Sequence, residues 1–294
     1  MVTEQLIFQI QSRSIIEAFA TDNYSIEFNT LDNAEDNLCI IYFSSNDIYY
    51  PNTKAAFDNS IIKKDRYEWK RNKFPLAKKH IFLRDIRKQW YIGGINSRLD
   101  NPHKLLDFLK LETKGYKIYT VGSSAGGYAA ILFGTLLKAD RVYAFNSQLN
   151  LHTIMKNSTA LINPILFKMA DDIDRNVFFD LSNIIRGDIN YYYYQSCNSQ
   201  IDIDQYNAIS PKAKQYLKII RFKTSNHGFP FLRINLPNVL AFDQKKLDAI
   251  TSKTFHPIIF SISLIGVTST FKFVIKALYD RFKKKGLEYF LKYK

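Results

Sequence analysis

Apolar residues run or alternate along six short stretches of the chain, each bounded by polar or glycine positions. They are "NLCIIYF" (Asn37 to Phe43), "KHIFLRD" (Lys79 to Asp85), "YKIYTVG" (Tyr116 to Gly122), "RVYAFNS" (Arg141 to Ser147), "NYYYYQS" (Asn190 to Ser196) and "YLKIIRFK" (Tyr216 to Lys223). Such patterns predict strands. Helical spacing fills the gaps: "PHKLLDFLKLET" opens on Asn101 and Pro102 as cap and first-turn residue, and "GGYAAILFGTLLKA" follows a pair of serines. Strand and helix signals in alternation predict an α/β fold, a mainly parallel sheet with helices on both faces. From Leu149 to Asp188 the strand signal stops, and two or three short helices are expected, inserted as a lid over the sheet. With no internal repeat and no low-complexity linker, residues 1–294 are expected to form one domain.

The junction between the third strand and its helix carries the first chemistry. Gly122-Ser123-Ser124-Ala125-Gly126 is G-x-S-x-G, placed after a strand and opening a helix, where a nucleophile elbow must lie. The sharp turn demands small flanking residues, which Gly122, Gly126 and Gly127 supply. Only Ser124 occupies the central position, so it is the expected nucleophile, with Ser123 a turn or capping residue. The Ala125 N–H, at the helix start, would point at a developing oxyanion.

A serine hydroxyl needs a base, and this architecture orders the partners Ser, then Asp or Glu, then His. Of five histidines, His80, His103, His152 and His256 sit in structural or surface contexts, whereas "KTSNHGFP" puts His227 on a loop just past the last strand. His227 is therefore the expected base. The acid is expected after "NYYYYQS", where Asp202 and Asp204 are available; Asp202 is favoured, since Asp204 reads as the N-cap of "DQYNAISPKAKQY". A second oxyanion donor is expected from Ser44, Ser45 or Asn46, directly after Phe43, and the sequence does not choose among them. Trp90 and Tyr91 read equally as a sugar platform beside the site or as aromatic core under a loop.

Composition narrows the setting. The 294 residues are 46% hydrophobic, enough for a large α/β core, and the two cysteines, Cys39 and Cys197, lie far from any cysteine or histidine cluster. That argues for a reducing compartment and against a structural metal. The N-terminal stretch has no basic start and no long apolar run, and Pro257 to Val267 is about half of the ~20 residues of a spanning helix, so a cytoplasmic protein is expected. The net charge of +14 is concentrated in two places: residues 61–90 hold eleven Lys/Arg against three Asp/Glu, and residues 271–294 hold eight against two. The first, with Lys70, Arg71 and Lys73, reads either as a solvated face or as a site for an anionic substrate or an anionic polymer. In the second, Phe271, Val274, Ile275, Leu278 and Phe282 recur at helical spacing with lysines between them, a basic amphipathic helix suited to the protein's own core, to an anionic membrane surface or to an acidic partner in a capsule-assembly complex.

Taken together, "HIFLRD" with "RKQWYIGGI", "YTVGSSAGGYAAILFGTLLKADRVYAFNSQ", the "DIDQYN" loop and "SNHGF" resemble the serine-esterase-like O-acetyltransferases encoded in capsule and surface-polysaccharide loci of Gram-negative bacteria. The resemblance runs from about Leu38 to Phe229. It implies an α/β-hydrolase core in which Ser124, His227 and Asp202 act as nucleophile, base and acid. It also implies acetyl-CoA as acetyl donor, its phosphates a candidate ligand of the first basic segment, and a polysaccharide hydroxyl as acceptor; no nucleic-acid partner and no metal are expected for the chain. A contact with the inner membrane surface or a capsule-assembly complex is expected through the C-terminal basic helix, and an esterase or deacylase and a non-catalytic capsule-assembly docking protein are the alternative readings.

Overall fold

The computed structural model describes residues 7–31 and 34–292, with the side chains of position 36 and of 280–292 outside the description. Eight strands form one sheet in the order β1-β3-β2-β4-β5-β6-β7-β8: β1 (Tyr24–Phe28), β2 (Glu35–Phe43), β3 (Ala77–Leu83), β4 (Lys117–Ser123), β5 (Arg141–Phe145), β6 (Tyr191–Ser196), β7 (Leu217–Phe222) and β8 (Thr254–Phe255). All pairings are parallel except that of β1 with β3. The six expected strands are all present, and β1 and β8 are additions at the two edges. Helices flank this mainly parallel sheet, and the strand-turn-helix junction at Ser124 makes the architecture α/β-hydrolase-like.

Successive side chains of a strand point to opposite faces, and each inner strand is apolar on both. Ile41 and Phe43 enter one core while Ile40 and Tyr42 enter the other. The four tyrosines of β6 divide the same way, Tyr191 and Tyr193 to one side, Tyr192 and Tyr194 to the other. The first core is covered by the helices Pro102–Glu112 and Ala125–Leu136; Asn101 caps the former through a bond from the Lys104 N–H. The second is closed by Trp69, Phe229, Phe231 and Phe260, drawn from the loops and from the start of the last helix.

Three expectations change here. The segment 149–188 does fold into short helices, Leu151–Lys156, Pro164–Lys168 and Ile173–Asn176, but Leu149, Leu151, Leu166, Phe179 and Leu181 are buried in the first core. Its apolar side chains therefore seal the sheet's flank. The C-terminal helix starts earlier than expected, at Pro257, and runs to Lys292 with a break at Gly266. Its apolar part, Pro257–Tyr279, is 23 residues long, enough by length and composition to cross a membrane, because the run continues past Val267. Finally, the helix after β6 begins at Gln200, so Asp204 lies inside it, exposed and accepting from the Gln200 amide.

Candidate active site

In a parallel sheet the chain leaves every strand at the same edge, so the loops after β2, β4, β5, β6 and β7 gather there. Ser124 stands at the sharpest of these turns, with φ 53° and ψ −120°. A non-glycine residue holds such a conformation only where its surroundings enforce it. Two glycines permit the enforcement: a Cβ at Gly122 would come within 2.0 Å of the Gly126 carbonyl oxygen, and one at Gly126 within 2.2 Å of the Phe43 carbonyl oxygen. The Ser124 N–H donates to the Phe145 carbonyl at 2.9 Å, tying the turn to β5. Ser123 ends β4 and is buried.

The loops bring three expected residues into a chain of hydrogen bonds. Ser124 Oγ lies 3.0 Å from His227 Nε2, and His227 Nδ1 lies 2.7 Å from Asp202 Oδ1. Asp202 is 1% exposed, and its Oδ2 has no protein partner among the described residues. A buried carboxylate facing Nδ1 fixes the tautomer in which Nε2 accepts a proton from the serine. Asp204 is excluded from this role by geometry: two residues further along the same helix, it points away from His227. The His227 loop is held at its root, where the Asn226 carbonyl accepts from Ser196 Oγ (2.7 Å) and Asn146 Nδ2 (3.0 Å).

Gln148, which the sequence pattern did not single out, completes the site. Both heteroatoms of its amide lie within 3.2 Å of Ser124 Oγ. The Trp90 indole N–H donates to Oε1 at 3.3 Å, which turns Nε2 toward Ser124 Oγ, 3.0 Å away. Oγ thus accepts from Gln148 while donating to His227. No periodic signal marks a glutamine in a loop after a strand; only its place at the C-terminal end of β5, beside the elbow, could have pointed to it.

Other expected site residues are placed differently. The Ser44 N–H donates to the Leu83 carbonyl and the Ser45 N–H to Glu68 Oε2 at 2.7 Å, so neither amide is available to an oxyanion. Asn46, the third residue of that loop, lines the cavity over Ser124 together with Asp47, Glu68, Phe229 and Arg233. That cavity is about 410 Å³, and no residue from 149–188 lines it.

Trp90 and Tyr91 are 5% and 1% exposed and belong to the first core, so neither offers a face to a sugar. The cause is Asp85. Its buried carboxylate accepts from the N–H groups of Arg87, Lys88, Gln89 and Tyr91, curling the chain inward. Burial still holds this carboxyl above the usual range, with those four donors pulling it down. Tyr91 then donates its hydroxyl to the Ser44 carbonyl, and Trp90 orients Gln148.

Most cations of the first basic segment are engaged within the fold. Lys73 pairs with Glu27 at 2.6 Å and Lys79 with Glu112 at 2.7 Å, away from the cavity. Lys88 donates to Tyr49 and Asn52, and burial pulls its ammonium down to about 8. Lys70 and Arg71, with Lys64, Arg66 and Arg233, line a second cavity of about 500 Å³. It shares Glu68 and Arg233 with the cavity over Ser124, and these two pair at 2.9 Å. Among the described residues no group of three or more His, Cys, Asp or Glu is arranged to hold a metal.

The arrangement can perform nucleophilic acyl chemistry: a strained serine, a base in contact, a buried acid behind it and a helix N-terminus beside it. No protein-family model and no curated protein sequence matches the chain. Among solved structures it is similar to the capsule O-acetyltransferase of Neisseria meningitidis serogroup A, at 15% identity over 68% of this chain and 83% of that one, with a TM-score of 0.47. A mutant of that enzyme in complex with CoA gives 16% identity, 70% and 85% coverage and 0.46. Esterase B from Lactobacillus Rhamnosis gives 9%, 78% and 86%, and 0.45. At such identities, substrate and chemistry must be argued from the site itself.

Proposed function

We propose that this protein is an O-acetyltransferase that moves an acetyl group from acetyl-CoA, through Ser124, to a hydroxyl of a bacterial capsular or surface polysaccharide. The observation that carries the reading is the continuous relay from buried Asp202 through His227 to Ser124 at a strained elbow. His227 Nε2 takes the proton of Ser124 as Oγ attacks the thioester carbonyl. The Ala125 N–H and, in place of Ser44 and Ser45, the Asn46 N–H stabilise the oxyanion. The intermediate collapses to acetyl-Ser124, and the imidazolium returns its proton to the departing thiolate. The same histidine then deprotonates the acceptor hydroxyl, which takes the acetyl group and frees the serine.

The second cavity supports a phosphate-rich donor. Five of its lining residues are Lys or Arg against Asp65 and Glu68, with Lys70 also paired to Glu27 at 3.6 Å, and it adjoins the cavity over Ser124 at the shared Glu68–Arg233 pair. Phosphates of CoA seated there would leave the thioester arm to reach Ser124. Arg71→Glu is then expected to raise the KM for acetyl-CoA several-fold, with a smaller difference at high salt.

The test is thiol release from acetyl-CoA with and without a panel of bacterial polysaccharides. Release that depends on an acceptor, accompanied by acetylated polymer, is expected. Acceptor-independent release of acetate would make the protein an esterase, and no turnover of acetyl-CoA or acetyl esters would make it a non-catalytic relative.

A further inference from the structure

The C-terminal helix leaves the body in an unusual way. Phe260 is buried in the second core, and Ser261 and Thr270, both fully buried, share a hydroxyl contact of 3.0 Å. Between them Gly266 breaks the helix with φ 78° and ψ 167°. A Cβ placed on Gly266 would meet nothing within 4 Å, so the break is not forced by packing. Beyond it the helix is anchored on one side only, through Thr270 and the half-buried Phe273 and Val274.

The opposite side is apolar and bare. At about 100° per residue, Val267, Leu278, Phe271, Ile275 and Tyr279 fall within an arc of about 120°, with Thr268 the one polar residue inside it. These five side chains are between 48% and 65% exposed. Lys272 and Lys276 follow along one border of the arc, and both are exposed. No acidic residue occurs from Pro257 to Tyr279, and the sequence continues through Asp280 into Arg281, Lys283, Lys284 and Lys285.

We infer that the helix beyond Gly266 lies in the plane of an anionic lipid bilayer, its apolar stripe in the acyl boundary and its lysines at the headgroups. A stripe bordered by lysines is how an interfacial helix is built, the long aliphatic stems lying over the apolar surface while the ammonium groups reach out to phosphate. Crossing the bilayer is disfavoured by the break. Val267 to Tyr279 spans roughly 20 Å at ~1.5 Å per residue, short of the ~30 Å hydrocarbon core, and it carries two lysines. A second copy of the chain would bring lysines against lysines, whereas an anionic surface complements them. The inference does not depend on the acetyl-transfer reading.

The test uses the full chain with Tyr279→Trp, a substitution at an exposed position, and vesicles of phosphatidylcholine alone or mixed with phosphatidylglycerol. With the anionic vesicles the new tryptophan is expected to shift to shorter wavelength and to be quenched more by lipids spin-labelled near the headgroup than by those labelled at the chain end. Co-sedimentation should fall at least tenfold when Phe271→Asn, Ile275→Asn and Leu278→Asn are combined, and should weaken with salt, while the far-UV circular dichroism and thermal midpoint of the same variant stay unchanged. Absence of binding to anionic vesicles would overturn the inference. So would stronger quenching from the chain end, which signifies spanning, or self-association lost with the same three substitutions and no lipid binding.

Discussion

Two helices of this chain are apolar along their length and meet opposite fates. In Ala125–Leu136, eleven of twelve residues are buried. In Pro257–Tyr279, Phe260, Ser261 and Thr270 are the buried positions. Hydropathy does not separate them; side-chain size at the contact positions does. The first helix presents Gly126 to β2, Gly127 to Ser147 and Gly134 to Thr120 and Val142, at distances where any Cβ would clash. Its backbone can therefore lie against the sheet and carry Ser124 into the site. Large residues fill the outer face of the second helix, and its one glycine before Tyr279 stands at a break with open space around it. A helix with small residues at its contacts is held by the fold, whereas one with a large apolar stripe is offered to something else.

The largest test of this contrast is chemical. If the buried helix exists to hold Ser124 in register with its partners, neutralising the acid should be nearly as damaging as losing the serine. Asp202→Asn is expected to lower turnover by about 10⁴-fold, as the wrong histidine tautomer is then favoured. Asp204→Asn, on the outer face of the same helix, should change it by less than twofold; equal losses in steady-state assays would break the relay assignment.

Next comes packing. Gly126→Ala drives a Cβ to 2.2 Å from the Phe43 carbonyl oxygen, a backbone atom that cannot swing aside. Stability should fall by about 3 kcal/mol, the upper end of overpacking costs, measured by denaturant unfolding. A smaller effect, around 1 kcal/mol, expected for Gln148→Ala on the barrier, appears as a roughly fivefold drop in kcat with KM unchanged, because the amide donates to the nucleophile Ser124 Oγ. A rise in KM alone would instead make Gln148 a binding residue. At the bottom of the scale, Ile275→Ser on the exposed helix should alter stability by less than about 0.5 kcal/mol. A loss of 2 kcal/mol or more would show that the stripe packs on the protein itself, and the contrast between the helices would collapse.

Legibility in the sequence followed the same physical division. The inner strands were readable because both of their faces are buried, leaving runs such as "YYYY" that no exposed element tolerates. Strand β1, "YSIEF", was not, since it is an antiparallel edge with half-exposed side chains, and β8 is two residues long. The order of Ser124, Asp202 and His227 and their places after strands were legible, and the structure brings the three side chains into hydrogen-bond contact. The amides were not: Gln148 and Asn146 act through loop geometry that leaves no periodicity. Nor could the aromatic pair at Trp90 and Tyr91 be assigned, because its burial depends on four N–H groups converging on Asp85. Ser44 and Ser45 failed as donors for a similar reason, a carboxylate more than twenty residues downstream, Glu68, having taken the Ser45 amide.

The central claim is that Ser124 carries the acyl group. Intact-mass spectrometry of the protein mixed with acetyl-CoA, without acceptor and quenched in acid, tests it directly. One added acetyl group mapping to the peptide that contains Ser124, absent in Ser124→Ala and retained in Ser123→Ala, is the predicted result; an acetyl group that persists in Ser124→Ala, or none on a protein that still consumes acetyl-CoA, would contradict it.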